Sequence, residues 1–134
     1  MAREELVKKI REELVEPEEI PPELIDKVKT MIRLTKDGRV LFLFDRRKIS
    51  SADLILLYLA GRKLANIAGL GASASARLDE ISKELGLPKG TAAPRLEERR
   101  SEGEVVKVER GVYEITWTGM INVINRVESQ LAAK

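Results

Sequence analysis

The feature that most constrains the fold is a pair of short amphipathic segments separated by Gly86. The first segment has one apolar face at helical spacing, formed by Leu78, Ile81 and Leu85. Gly86 follows directly, where a left-handed residue ends a helix at little steric cost. Ala92 and Leu96 then begin the buried face of a second helix near residues 91–102. The pattern therefore predicts two helices joined by a tight turn.

The residues that follow predict a β-hairpin with a charged tip, near residues 105–116. Gly103 ends the second helix, and Val105–Val108 and Val112–Thr116 have the composition of short strands. The turn between them is Glu109-Arg110-Gly111. A last amphipathic helix is predicted from Met120 to Leu131.

This part of the chain resembles the winged helix-turn-helix superfamily of DNA-binding domains, and is most similar to prokaryotic, archaeal-like transcriptional regulators. The resemblance rests on Leu78-Asp-Glu-Ile-Ser-Lys-Glu-Leu-Gly-Leu87, followed by Thr91, Arg95-Leu96, Glu102-Gly103 and Val105. It implies a mainly α fold with a small β component (α+β). It also implies that the second helix is a recognition helix for the major groove and that the hairpin is the wing.

By this resemblance, DNA contacts come from the start of the recognition helix and from the wing. The candidate residues are Lys89, Gly90, Thr91, Ala93, Arg95, Lys107 and Arg110. Arg95 is suited to bidentate bonds with guanine, whereas Lys89 and Arg110 are suited to phosphates. We expect Lys89 and Arg95 to be unopposed, because Glu97 is the first acid in residues 88–100. The alternative is that these bases are ordinary solvated surface.

Pro94 conflicts with a long recognition helix. Inside a helix it removes one hydrogen bond and clashes with the carbonyl of Gly90, at a cost of ~3 kcal/mol. We therefore predict that the helix begins near Ala92, with Thr91 as N-cap and 88–90 as a preformed turn. Arg99 and Glu104 stand where related domains have apolar residues. They either pair across the helix end and the wing base, or the core is thin there.

Residues 1–35 are predicted to be a helical extension. Its first helix runs from Ala2 to Val15, Pro17 and Pro21-Pro22 follow, and a second helix begins at Pro22. The apolar stripe of the first helix is Leu6, Val7, Ile10 and Leu14, and that of the second is Leu24, Ile25, Val28, Met31 and Ile32. Two such helices must pack on the rest of the chain or on a second copy.

Residues 36–134 are predicted to form the winged helix-turn-helix domain. It opens with a strand over Arg39–Phe44, followed by a long helix capped by Ser50 or Ser51. Residues 71–76 are predicted to be a loop.

Composition narrows the function classes. The chain has no Cys and no His, so thiolate chemistry, the usual zinc ligands and the commonest general base are absent. The net charge of +2 is too small to identify a nucleic-acid binder, although residues 33–48 are basic and residues 1–30 acidic. Scarce side-chain amides with abundant Glu, Lys and Arg are typical of thermophiles. The N-terminus has no apolar segment for secretion, so we expect a cytoplasmic, nucleoid-associated protein.

The sequence thus favours a double-stranded DNA-binding protein, a homodimeric transcription regulator that is not an enzyme and needs no cofactor. Its dimer would use the N-terminal helices, the last helix, or both. The alternative is a winged-helix module that binds a protein through the wing or through the strand near Val40–Phe44, without reading DNA. No metal-loop motif or glycine-rich phosphate signature supports catalysis.

Overall fold

The computed structural model describes residues 2–14 and 20–132 and has an α+β fold. Its helices are α1 (Arg3–Glu13), α2 (Pro22–Val28), α3 (Ser51–Ile67), α4 (Leu78–Leu85), α5 (Lys89–Ser101) and α6 (Trp117–Ala132). Its strands are β1 (Ile32–Leu34), β2 (Val40–Phe42), β3 (Ala76–Arg77), β4 (Val105–Glu109) and β5 (Val112–Ile115). The predicted break at Pro17 lies outside the described residues. Within them, no helix has both the length and the apolar character to cross a bilayer.

The core is built around α3, which is apolar on every side. Every residue from Ala52 to Gly61 is buried, which is typical of a helix surrounded by other elements. Helices α5 and α6 and strand β5 pack against it. The predicted cap is confirmed at Ser50, whose hydroxyl accepts a hydrogen bond from the Asp53 N–H at 3.2 Å.

Two small antiparallel sheets flank α3. Strands β1 and β2 pair with Ile32 opposite Phe42, and the second sheet has the order β3-β5-β4. The hairpin of β4 and β5 lies where the sequence predicted it. Ala76, predicted to be in a loop, instead pairs with Tyr113 as part of β3. A strand this short has no periodicity of its own, and only its partner β5 defines it.

The second predicted helix, α2, ends earlier than the apolar pattern in the sequence predicts. Helix α2 ends at Val28, whereas Met31 lies in a turn and Ile32 begins β1. Both side chains are buried, so their apolar character reflects the core and not a helix face. The Leu43 N–H donates to the Met31 carbonyl at 2.9 Å, which ties this turn to the end of β2.

The tight turn between α4 and α5 is as predicted. Gly86 has a φ of +64°, in the left-handed region that favours glycine. The Leu87 N–H donates to the Ser82 carbonyl at 3.1 Å, and the Ser82 hydroxyl donates to the Leu87 carbonyl. These two bonds close the corner, so α5 leaves α4 in a fixed direction.

An ionic network with buried carboxylates and half-buried arginines joins the end of α5 and the residue before β4 to α3 and α6. Arg126 donates to Glu104 at 2.9 Å and to Asp53 at 3.1 Å, and Arg99 donates to Glu104 at 3.0 Å. Only 3% of Glu104 and 5% of Asp53 are exposed. The predicted pairing of Arg99 with Glu104 is therefore confirmed. Its extension to α6 explains why a carboxylate is tolerated at the base of the hairpin.

Replacing Arg126 by Met should lower the free energy of unfolding by about 3 kcal/mol, because Asp53 and Glu104 would stay buried with a cation removed. Chemical denaturation of the full chain measures this loss. The matched control is Arg100→Met, which breaks an exposed pair with Glu97 and should cost under about 1 kcal/mol. Equal losses in the two variants would contradict the role of the network.

The same network should make stability depend on pH in the acid range. Burial raises the pKa of Glu104, but hydrogen bonds from Arg126 and Arg99 lower it by more, so the net pKa is below the ordinary 4.5. A lowered pKa stabilises the fold above the unfolded value, and this contribution is lost as the pH falls through the folded value. The stability difference between wild type and Glu104→Gln should therefore shrink below about pH 4.5. A difference that stays constant from pH 7 to pH 3 would count against this assignment.

Candidate nucleic-acid interface

Helix α5 buries one face and leaves the opposite face open. Ala92 and Leu96 are buried against the core, as predicted, while Gly90 and Pro94 lie on the exposed face. Neither Gly90 nor Pro94 has a long side chain, so the helix backbone is close to the surface there. Thr91 and Ala93 are half-buried at the borders of this face.

The two bases predicted to matter most, Lys89 and Arg95, lie at the surface. Their side chains are 60% and 43% exposed. Six residues of α-helix turn through about 600°, so the two side chains leave α5 about 120° apart. That angle of about 120° spans the buried Ala92–Leu96 side of α5, so both bases lie at the borders of the buried face and each is about 120° from the Gly90–Pro94 direction.

The expectation that these bases are unopposed is wrong. Lys89 Nζ lies 2.6 Å from Asp79 Oδ1, and Arg95 Nη1 lies 2.9 Å from Glu98 Oε1. Asp79 belongs to α4, and the crossing of α4 and α5 brings it to the start of α5. The hydrogen bond from Lys89 lowers the pKa of the Asp79 carboxyl. Exposed pairs of this kind contribute little free energy, so a stronger anion can displace the carboxylate.

The two bases predicted in the hairpin, Lys107 and Arg110, have different neighbours. Lys107 is 4.0 Å from Glu97 of α5, and its ammonium is 5.9 Å from the centre of the Tyr113 ring. Arg110 is in the turn, where the Gly111 carbonyl accepts a 2.8 Å hydrogen bond from the Leu78 N–H. The hairpin tip is thus tied to the start of α4.

Arg77 is a candidate that the sequence prediction missed. It is exposed, and it lines a depression of about 310 Å³ together with Asp79 and Arg110. Glu80 accepts a 3.3 Å hydrogen bond from the Arg77 N–H, which fixes the start of α4. The available signal was an exposed base directly before a predicted helix, where the N-terminal amides favour anions.

The predicted late start of α5 is also wrong. Pro88 is the N-cap, its carbonyl accepts from both Thr91 and Ala92 at 2.9 Å, and the helix continues through Pro94. Pro94 removes the one bond that would reach the Gly90 carbonyl. Both residues are exposed, so water can take the place of the missing donor, and the helix tolerates the proline.

Comparison with known proteins finds no matching family, no matching curated protein and no matching solved structure. A function must therefore be argued from the residues that the fold places at the surface. They are the exposed half of α5, the start of α4 and the hairpin β4–β5.

The tolerance of Pro94 can be measured. Pro94→Ala removes the clash of the ring with the Gly90 carbonyl and restores the missing donor, together worth ~3 kcal/mol, and loses ~1 kcal/mol through greater freedom of the unfolded chain. We expect a net stabilisation of about 2 kcal/mol in urea unfolding. Pro88→Ala is the matched control, because an N-cap lacks no interior bond, and it should destabilise slightly. A destabilised Pro94→Ala protein would show that the proline is needed for the shape of α5.

Proposed function

We propose that this protein binds double-stranded DNA through α5, with the hairpin β4–β5 as a wing, and acts as a homodimeric transcription regulator without catalysing a reaction. The observation that supports it best is the placement of α5. It follows α4 across the left-handed Gly86 turn and keeps its leading end, with Lys89 and Arg95, at the surface. The order α3-β3-α4-α5-β4-β5 agrees with the winged helix-turn-helix resemblance.

The chemistry of this face suits a phosphate backbone. The free amides at the start of α5 attract anions, and Lys89 and Arg95 add two surface cations along the same helix. Arg77 and Arg110 add positive charge beside the start of α4. On binding, phosphates would replace the carboxylates of Asp79 and Glu98 as partners of the bases. In this proposal the protein works in the cytoplasm, at the nucleoid.

A second candidate function has a specific observation of its own. Strand β4 is at the edge of its sheet, and its Val106 and Val108 are 47% and 56% exposed. An apolar free edge suits the addition of a strand from another protein. A winged-helix module that binds protein through β4 is therefore the alternative.

Duplex binding at several salt concentrations tests the first function. We expect the logarithm of the binding constant to fall steeply with the logarithm of salt concentration, because bound phosphates release counterions. Lys89→Ala combined with Arg95→Ala should weaken binding and make the slope shallower by about one to two. Asp79→Asn should strengthen binding, since it frees Lys89 from its carboxylate partner.

The matched control is Lys8→Ala combined with Lys36→Ala, which removes the same charge from exposed positions outside α4, α5 and the hairpin. It should leave the binding constant within about twofold. Equal weakening in both double variants would mean that only net charge matters. Absence of duplex binding at low salt would overturn the DNA proposal and favour a partner at β4.

A further inference from the structure

Helix α1 carries an apolar stripe that the described part of its own chain leaves unburied. No residue of α1 is buried. The exposed fractions along the stripe are Leu6 47%, Val7 42%, Ile10 40% and Leu14 77%. A helix of 11 residues is marginal in water by itself, and an amphipathic helix gains most of its stability from packing that face. The stripe therefore needs a partner.

The same chain has an apolar groove between α2, β1 and the C-terminal half of α3. Its volume is about 620 Å³. Its apolar walls are Ile20, Ile25, Val28, Ile32, Leu34, Leu64 and Ile67. Ile25 and Ile67 are 40% and 58% exposed, so the groove is open to a helix from outside. The charged side chains in its lining are Lys29 and Arg33.

We propose that α1 of one copy occupies this groove of a second copy, and that the exchange is reciprocal. Both surfaces belong to one chain, so two copies related by a two-fold axis cover both stripes and both grooves. Each helix needs to bury only about 600 Å² with its groove for the pair to reach the about 1,200 Å² of a stable interface. The inference rests on the homodimer of the proposed function but not on its DNA binding.

The charges of α1 and of the groove also favour a second copy of the chain as the partner. The last turn of α1 contains Glu12 and Glu13 with one base, Arg11, so it has a net negative charge, and its free carbonyls add the negative end of the helix dipole. Lys29 and Arg33 offer positive charge in the groove. A free apolar molecule could fill such a volume, but it would leave the stripe of α1 bare.

Cross-linking tests the exchange, because the chain has no native cysteine. Full-length Ile10→Cys and Ile67→Cys proteins are mixed and treated with a short bis-maleimide. Ile10 is near the middle of α1, so the result does not depend on which way the helix lies. We expect a covalent heterodimer from this mixture. Replacing Ile67→Cys by Leu41→Cys, at a residue of β2 that is 46% exposed, should give little product.

The double variant Ile10→Cys with Ile67→Cys on one chain separates exchange from self-occupancy. If the dilute double variant cross-links within one chain while the mixture gives no heterodimer, α1 fills its own groove and the proposal is overturned. A wild-type protein that sediments as a monomer at high micromolar concentration, with an apolar dye bound in its groove, overturns it in favour of a small-molecule site.

Sedimentation of charged variants gives an independent measurement. Ile10→Lys and Ile67→Lys should each raise the dimer dissociation constant at least about tenfold, while Leu41→Lys should change it less than about twofold. A dimer that survives both substitutions would contradict the exchange. These assays contain no DNA, so a dimer that fails to bind DNA would defeat the proposed function and leave this inference standing.

Discussion

The architecture depends on the buried ionic network centred on Arg126. One guanidinium satisfies Asp53 of α3 and Glu104 at the foot of the hairpin, and Arg99 adds the end of α5. Carboxylates as buried as Asp53 and Glu104 are stable only beside a cation, so the network fixes how these elements meet. Gly119 of α6 completes the junction, because a Cβ there would lie 2.1 Å from the Glu104 carbonyl oxygen. The geometry between α5 and the hairpin follows from this anchoring.

The candidate interface consists of surfaces of α4, α5 and the hairpin β4–β5, and it carries both acidic and basic side chains. Lys89 forms an ion pair with Asp79 of α4, and Lys107 lies 4.0 Å from Glu97 of α5. Each pair is exposed and weak. The carboxylates offset the positive charge of the bases, but another anion can still replace them. A nearly neutral chain can thus offer cations to a polyanion wherever the anion competes successfully with a carboxylate. The same neutrality is why overall charge identifies no partner.

Several errors in the sequence prediction fall where a residue's partner is distant along the chain, whereas the partner of Arg95, Glu98, is only three residues away. Met31 and Ile32 continued the helical pattern of α2, yet β2 pairs with Ile32 and the core buries both. The partner of Lys89 comes from α4, so the acids within residues 88–100 did not reveal it. Pro94 conflicted with a long helix because it removes one hydrogen bond and its ring meets the Gly90 carbonyl, whereas both residues are exposed and water can bind that carbonyl. Arg77 was missed because it forms a candidate anion site only together with Arg110, and only the folded hairpin brings these two residues close.

The sequence by itself determined α3, α4, the Gly86 turn and the hairpin. Their signals are local: apolar spacing over several turns, one left-handed glycine, and two β-rich runs around a tight turn. Only the tertiary structure decided the short strands β1 and β3, the start of α5, the ion pairs on its surface and the groove beside α2. The short strands, the Lys89–Asp79 pair and the groove depend on atoms brought together from distant positions, and a pattern along the chain does not contain that distance. The start of α5 and the Arg95–Glu98 pair are local, but several backbone and side-chain conformations fit the same residues, and packing selects one of them.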